Sequence, residues 1–295
     1  MPHRAPAKIP LKMKGTLIMV NGLAIWHYPT RNDLENVAFF AKNGFASVSM
    51  HGKAMVKVSV DEVLSKEFAD AIKENGIILT THANLPQTHS EEDVKEFKHN
   101  IDCIAKWQKQ YGLLEVLSFD VAQEVRDNVM PYIEYVLGYE QFGKIALEDF
   151  GVTEDEKAQI EPLKNNSRFG YLLDIGHMNI RIRGENPYPI NLFKNSPLEC
   201  PKTSTPGYSE FLQAFRSKEF PIFEIHLHNN NGIDDIHSFL EDGTIDMRTI
   251  YAVLKETGFD GIVTIETVPR LSGYVYPEAD DKILETFKYW KEISN

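Results

Sequence analysis

The 295-residue sequence predicts an α/β fold, a single closed (β/α)8 barrel occupying residues 1–295. Three observations carry that expectation. Eight short apolar runs rich in β-branched residues are spaced along the whole chain, with segments of helical period between them. Eight is the number of parallel strands that closes such a barrel. The alternative, a doubly wound open sheet, usually places a GxGxxG turn after its first strand, and this sequence has none.

Taken in order, the strands are expected at 15–22 (GTLIMVNG), 46–52 (ASVSMHG), 76–83 (GIILTTHA) and 113–120 (LLEVLSFD). Four more are expected at 144–150 (KIALEDF), 168–177 (RFGYLLDIGH), 220–228 (FPIFEIHLH) and 261–268 (GIVTIETV). Helical stretches lie between them. Residues 31–45 open on Asn/Asp and stop at a glycine, as capping requires, and residues 60–76 also end at Gly76. Residues 90–112 open with Ser90-x-x-Asp93 and an acidic first turn; 246–259 and 278–294 close the series. Residues 1–14 form an N-terminal extension, and the Pro- and Asn-rich 178–207 reads as a long β6–α6 loop over the barrel mouth.

Composition narrows the function. With 42% hydrophobic and 25% charged residues the chain has ample core for a globular protein. Its net charge of −12 disfavours nucleic acid, because a protein that tracks phosphates usually carries a basic face. Cys103 and Cys200 stand far apart with no CxxC, which argues against a thiolate metal site and suits a reducing cytoplasm. No apolar run is long enough to span a bilayer, and the basic N-terminus lacks the apolar core of a secretory signal. Homo-oligomerisation is left open.

The polar residues fall where chemistry is expected. A barrel's functional groups sit at the C-terminal ends of its strands. His51 falls at that end of strand 2, His82 of strand 3 and Glu148 of strand 5. Asp174 and His177 end strand 6, His228 strand 7 and Glu266 strand 8. Such groups beside a core are costly unless paired or metal-bound. Strand alternation puts Glu224, His226 and His228 on one face, with His228 nearest the mouth and the better ligand. His226 lies lower, as its support or as a core hydrogen-bonder. Glu148, Asp174, His228 and Glu266 then make a donor set suited to Mn²⁺, Mg²⁺, Co²⁺ or Zn²⁺, and no organic cofactor is called for.

These residues resemble the xylose isomerase-like TIM-barrel superfamily, which includes sugar isomerases, ketose 3-epimerases and endonuclease IV-type apurinic endonucleases. The resemblance covers roughly 15–290 and rests on ALEDF (Glu148), LLDIGHMNI (Asp174, His177), IHLHNNNGIDDIH (His228, Asp235, His237), GIVTIET (Glu266) and TTHANLP (His82). It implies one divalent metal on Glu148, Asp174, His228 and Glu266, with Glu148 and Glu266 also the acid/base pair. It further implies that His177 touches substrate or a second metal, and that His82, Asp235 and His237 match positions carrying further metals in the endonucleases. Two departures stand out. Strand 4 carries Ser118 and Asp120 where the endonucleases have a metal-ligand histidine, and His51 stands where many sugar enzymes have glutamate.

The expected activity is a metal-dependent isomerase or epimerase of a sugar or sugar derivative, moving a proton between the two glutamates through an enediolate. Arg181 and Arg183 are candidates to meet a substrate phosphate or carboxylate, against the plainer reading of a solvated loop. His51 and His226 are further candidates for substrate contact. The alternatives are a zinc-dependent phosphodiesterase of the apurinic-endonuclease kind, and a metal-binding barrel with a lyase or binding role.

Overall fold

The computed structural model describes residues 19–28, 31–183, 207–275 and 277–294, the side chains of 181–183 excepted. Eight parallel strands close into a barrel in sequence order. They are β1 (Val20–Ala24), β2 (Ser47–His51), β3 (Ile78–Asn84), β4 (Leu114–Asp120), β5 (Ile145–Glu148), β6 (Phe169–Asp174), β7 (Ile222–Leu227) and β8 (Ile262–Ile265). Closure runs through β1 and β8, where Val20 pairs with Ile262 and Leu23 with Ile265.

Ten α-helices surround the sheet among the described residues: α1 (Asp33–Lys42), α2 (Gly52–Val60), α3 (Glu62–Asn75), α4 (Glu91–Tyr111), α5 (Met130–Leu137), α6 (Glu154–Ile160), α7 (Ile175–Arg183), α8 (Tyr208–Arg216), α9 (Met247–Thr257) and α10 (Glu278–Ser294). The expected caps act at α1, where Asn32 and Glu35 form a capping box, and at α4, where Ser90 accepts from the Asp93 N–H. Gly112 ends α4 at φ +65°, a conformation that favours glycine.

The structure corrects several boundaries. β1 runs on past Gly22 to Ala24 because Leu23 and Ala24 still pair with Val48 and Ser49; residues 15–18 lie outside the described residues. β6 stops at Asp174 rather than at 177. The Asp174 Oδ1 accepts the His177 N–H at 2.7 Å, as a helix N-cap does, and the chain turns directly into α7. The expected long loop therefore begins as helix through Arg183, and 184–206, like the extension 1–14, lies outside the described residues. Helices α2, α5, α6 and α8 escaped the sequence reading. They span seven to nine residues, too short for a periodic pattern to declare itself.

Two apolar layers leave the mouth polar. The larger core lies between sheet and helices and includes Leu23, Val48, Leu117, Leu147, Ile225 and Val263. A small cluster of Val116, Ala146, Leu172 and Ile262 fills the barrel's lower interior. Above it, fully buried Glu224 accepts hydrogen bonds from the hydroxyls of Thr80 (3.0 Å) and Thr264 (2.5 Å). The next layer is the candidate site.

Candidate metal and acid/base site

Each expected residue that the structure describes at side-chain level reaches the C-terminal end of the barrel. Strand β5 ends on Glu148, β6 on Asp174 and β2 on His51, while His228 and Glu266 follow directly on β7 and β8. His82 lies two residues before the end of β3, and His177 sits in the first turn of α7. The side chains of Arg181 and Arg183 lie outside the described residues.

The donors fall into two adjoining groups. In the first, the His226 Nδ1 lies 2.8 Å from Glu266 Oε2 and 3.8 Å from Glu148 Oε1, so one imidazole nitrogen stands between the two glutamates. Glu148 Oε2 also meets the His82 Nε2 at 3.2 Å, as does Asp120 Oδ2 at the rim. In the second, Asp235 Oδ2 bridges His177 Nε2 (3.1 Å) and His237 Nε2 (3.2 Å). His228 connects the groups, its Nε2 3.0 Å from Asp174 Oδ1 and 3.6 Å from Asp235 Oδ1. Asp174 can share a cation with His226 and Glu266, or with Glu148 and His177. His228 groups instead with His177, Asp235 and His237, so the four residues expected to share one metal do not form one compact set.

A cation fits this arrangement. The His228 Nδ1–H donates to the Asn229 carbonyl at 3.2 Å, which turns its Nε2 toward the Asp174 carboxylate 3.0 Å away. That Nε2, Asp174 Oδ2, Asp235 Oδ1 and both His226 nitrogens are buried without an aligned hydrogen-bond partner. Oxygen and imidazole donors of this kind suit a divalent metal.

Electrostatics separates the glutamates. Burial, reinforced by the Asp120 charge, raises the Glu148 pKa to about 8. Burial opposes charge on Glu266 too, but the imidazoles of His226 and His237 outweigh it and hold its carboxyl below the usual range. Burial likewise works against protonating His226 and His237, yet neighbouring carboxylates prevail. Glu266 chiefly lifts His226 to about 9, and Asp235 chiefly lifts His237 to about 10.

The three asparagines after His228 are all buried and each has defined work. Asn229 pins the loop to Leu240 and Ile245, donating at 2.8 and 3.1 Å. Asn230 donates to the Gly176 carbonyl (2.8 Å) and accepts from Asn179 (2.7 Å) and the Gly232 N–H (2.9 Å). Asn231 accepts from the N–H groups of Ile233 and Asp234. This network folds the chain back so that Asp235 and His237 face the site, His237 at a left-handed φ of +44°. Gly176 completes the fit, since a Cβ there would lie 1.9 Å from the His228 Cε1. Asn230→Ala strands buried partners and is expected to cost about 1–3 kcal/mol, measured as a lowered urea midpoint at unchanged slope.

Glu148, Asp149, His82, His177, Asp235, His237 and Glu266 line a cavity of about 530 Å³, with Trp26, His27 and His51 on its wall. A profile of the xylose isomerase-like TIM barrel matches residues 37–293. The chain belongs to that family. A curated relative, an uncharacterized protein of Methanocaldococcus jannaschii, is 28% identical over 164 residues. That match takes in 52% of this chain and 48% of the relative, so the chain spans about half the length of the curated relative it matches.

Solved structures align over nearly the whole chain. A D-tagatose 3-epimerase-like protein superposes with a TM-score of 0.62 at 19% identity, covering 93% of this chain and 99% of the other. The 3-keto-D-glucoside 4-epimerase of E. coli gives 0.63 at 15% identity, covering 93% and 99%. At such identities the likeness shows the fold.

Several site residues were not singled out from the sequence. Asp149 accepts from the His177 Nδ1–H at 2.6 Å and holds φ +48°, an unusual value for a non-glycine residue. The buried Arg126 donates to the Asp149 carbonyl (2.6 Å) and pairs with Glu156 (2.8 Å). Trp26 stacks over His82 with ring centroids 6.2 Å apart. Burial drives the neighbouring His27 down to a pKa of about 3. Asp149 directly follows the Glu of ALEDF and was the most findable; nothing local marks a tryptophan in the turn after β1. Among the described residues no helix is long and apolar enough to cross a membrane.

Proposed function

We propose that this family member is a divalent-metal-dependent isomerase or epimerase of a small sugar or sugar derivative. The observation that carries the reading is the pair Glu148 and Glu266, whose carboxyl groups converge on one imidazole nitrogen, His226 Nδ1, at 3.8 and 2.8 Å. Two carboxyl groups that reach one site from different strands are equipped to act as acid and base.

Glu148, Asp174, His226 and Glu266 are the residues that would hold the metal, with His226 in the place expected of His228; when bound, the metal supplies Lewis-acid polarisation of a carbonyl and so acidifies the adjacent C–H. The ionised Glu266 removes that proton. Glu148 returns one, and the roles exchange in the reverse direction. His226 beside Glu266 holds that carboxylate in place. Burial of both glutamates, 3% and 7% exposed, keeps bulk water from quenching the intermediate.

The test is exchange in D₂O with a panel of ketohexoses. Deuterium is expected at the carbon beside the carbonyl, lost on chelation and restored by added Mn²⁺ or Co²⁺. Conversion without deuterium would demand a hydride shift and remove the glutamates from the reaction.

A second reading draws on the donor group His177, His228, Asp235 and His237, which offers a further cation a place beside the first. Several metals activating water would support phosphodiester hydrolysis. Metal analysis showing about three zinc ions per chain, with nicking of abasic duplex DNA, would replace the isomerase reading by this one.

A further inference from the structure

Beside the catalytic cavity lies a second one of about 440 Å³, and His51, Asn84 and Gln87 line both. The two lobes adjoin along that shared edge. At the junction Asn84 donates to Asp120 at 3.3 Å, and Asp120 in turn meets His82. Each lobe alone falls in the range of roughly 300–1,000 Å³ typical of small-molecule sites. A monosaccharide reacting between Glu148 and Glu266 fills only the first.

The lining of the second lobe selects its occupant. Leu85, Phe97 and Ile101 form an apolar floor, and the amides of Asn84, Gln87 and Asn100 stand around it. Lys53, Asp93 and Glu96 also line it, so its charged lining is negative on balance. A phosphate or carboxylate is repelled there. An uncharged ring with one apolar face and a hydroxylated edge matches both surfaces, because amides and carboxylates hydrogen-bond hydroxyls while the floor covers C–H groups.

Resting on the reading of the first lobe as a sugar site, we propose that the second lobe binds a neutral glycosyl unit, so that the substrate is a glycoside-type sugar of two units rather than a free monosaccharide. Binding of palatinose, maltulose and lactulose, three glycosyl-fructoses, is compared with that of D-fructose by calorimetry on the full chain. At least one of the three is expected to bind about tenfold more tightly than fructose, equivalent to about 1.4 kcal/mol. Filling the lobe should return that ratio to near one. Ile101→Trp fills it from the floor. Asn100→Trp does so from the partly exposed side of α4 and serves where the buried substitution fails to fold.

Fructose binding with no gain for any glycosyl-fructose overturns this inference and leaves the sugar reading standing. So does a gain that survives both tryptophan variants. If no ketose of either kind binds or exchanges its proton, the sugar reading itself falls and takes the inference with it.

Discussion

Replacing Glu148 by glutamine is expected to lower epimerisation by about 10²–10⁴-fold while one epimer continues to exchange its proton with solvent. Glutamine keeps the size and one oxygen donor of glutamate but cannot carry the proton. Glu266→Gln should give the mirror result, with exchange retained by the other epimer. The asymmetry follows from the structure: Glu148 stands at the end of β5 and Glu266 just past β8, so each would serve one epimer. Steady-state rates and deuterium uptake by each epimer, with metal content measured alongside, separate loss of proton transfer from loss of a ligand. Near-wild-type turnover in both variants would show that neither glutamate moves a proton.

The second large effect is expected at Asp235. Its carboxylate is fully buried and touches three imidazoles, those of His177, His228 and His237. Asp235→Asn keeps the shape and removes the charge. His177 and His237, whose pKa values stand above the ordinary imidazole value partly through that charge, then lose their counter-ion in a buried setting. Breaking such a pair costs about 3–5 kcal/mol, read as a fall in the urea midpoint. If the group also holds a cation, the variant binds one ion fewer than the parent. A variant as stable as the parent, with the same metal content, would make Asp235 a bystander.

Much of this was legible in the sequence, for physical reasons. The barrel could be read because buried parallel strands need continuous apolar runs, and their count and alternation with helices leave few topologies. The positions of Glu148, Asp174, His228 and Glu266 could be read because a charged group at the end of such a run has few explanations other than a site. What stayed hidden depends on three-dimensional direction. The sequence put His177 at the end of a strand, but the cap made by Asp174 starts a helix there and swings His177 toward Asp149 and Asp235. It ranked His226 as support beneath His228, yet the structure sets His226 directly beside Glu266 and turns His228 toward Asp174 and Asp235. Nor did it show that Asn229, Asn230 and Asn231 are the buried framework that presents Asp235 and His237.

The central claim is that three carboxylates and a β7 imidazole hold one catalytic cation between the two proton-transferring glutamates. Anomalous scattering from crystals grown with Mn²⁺ or Co²⁺ tests it most directly. The account predicts a peak within about 2.0–2.3 Å of donor atoms from Glu148, Asp174, Glu266 and His226. A map with no peak among these residues, or with its only peak on His177, Asp235 and His237, would contradict it.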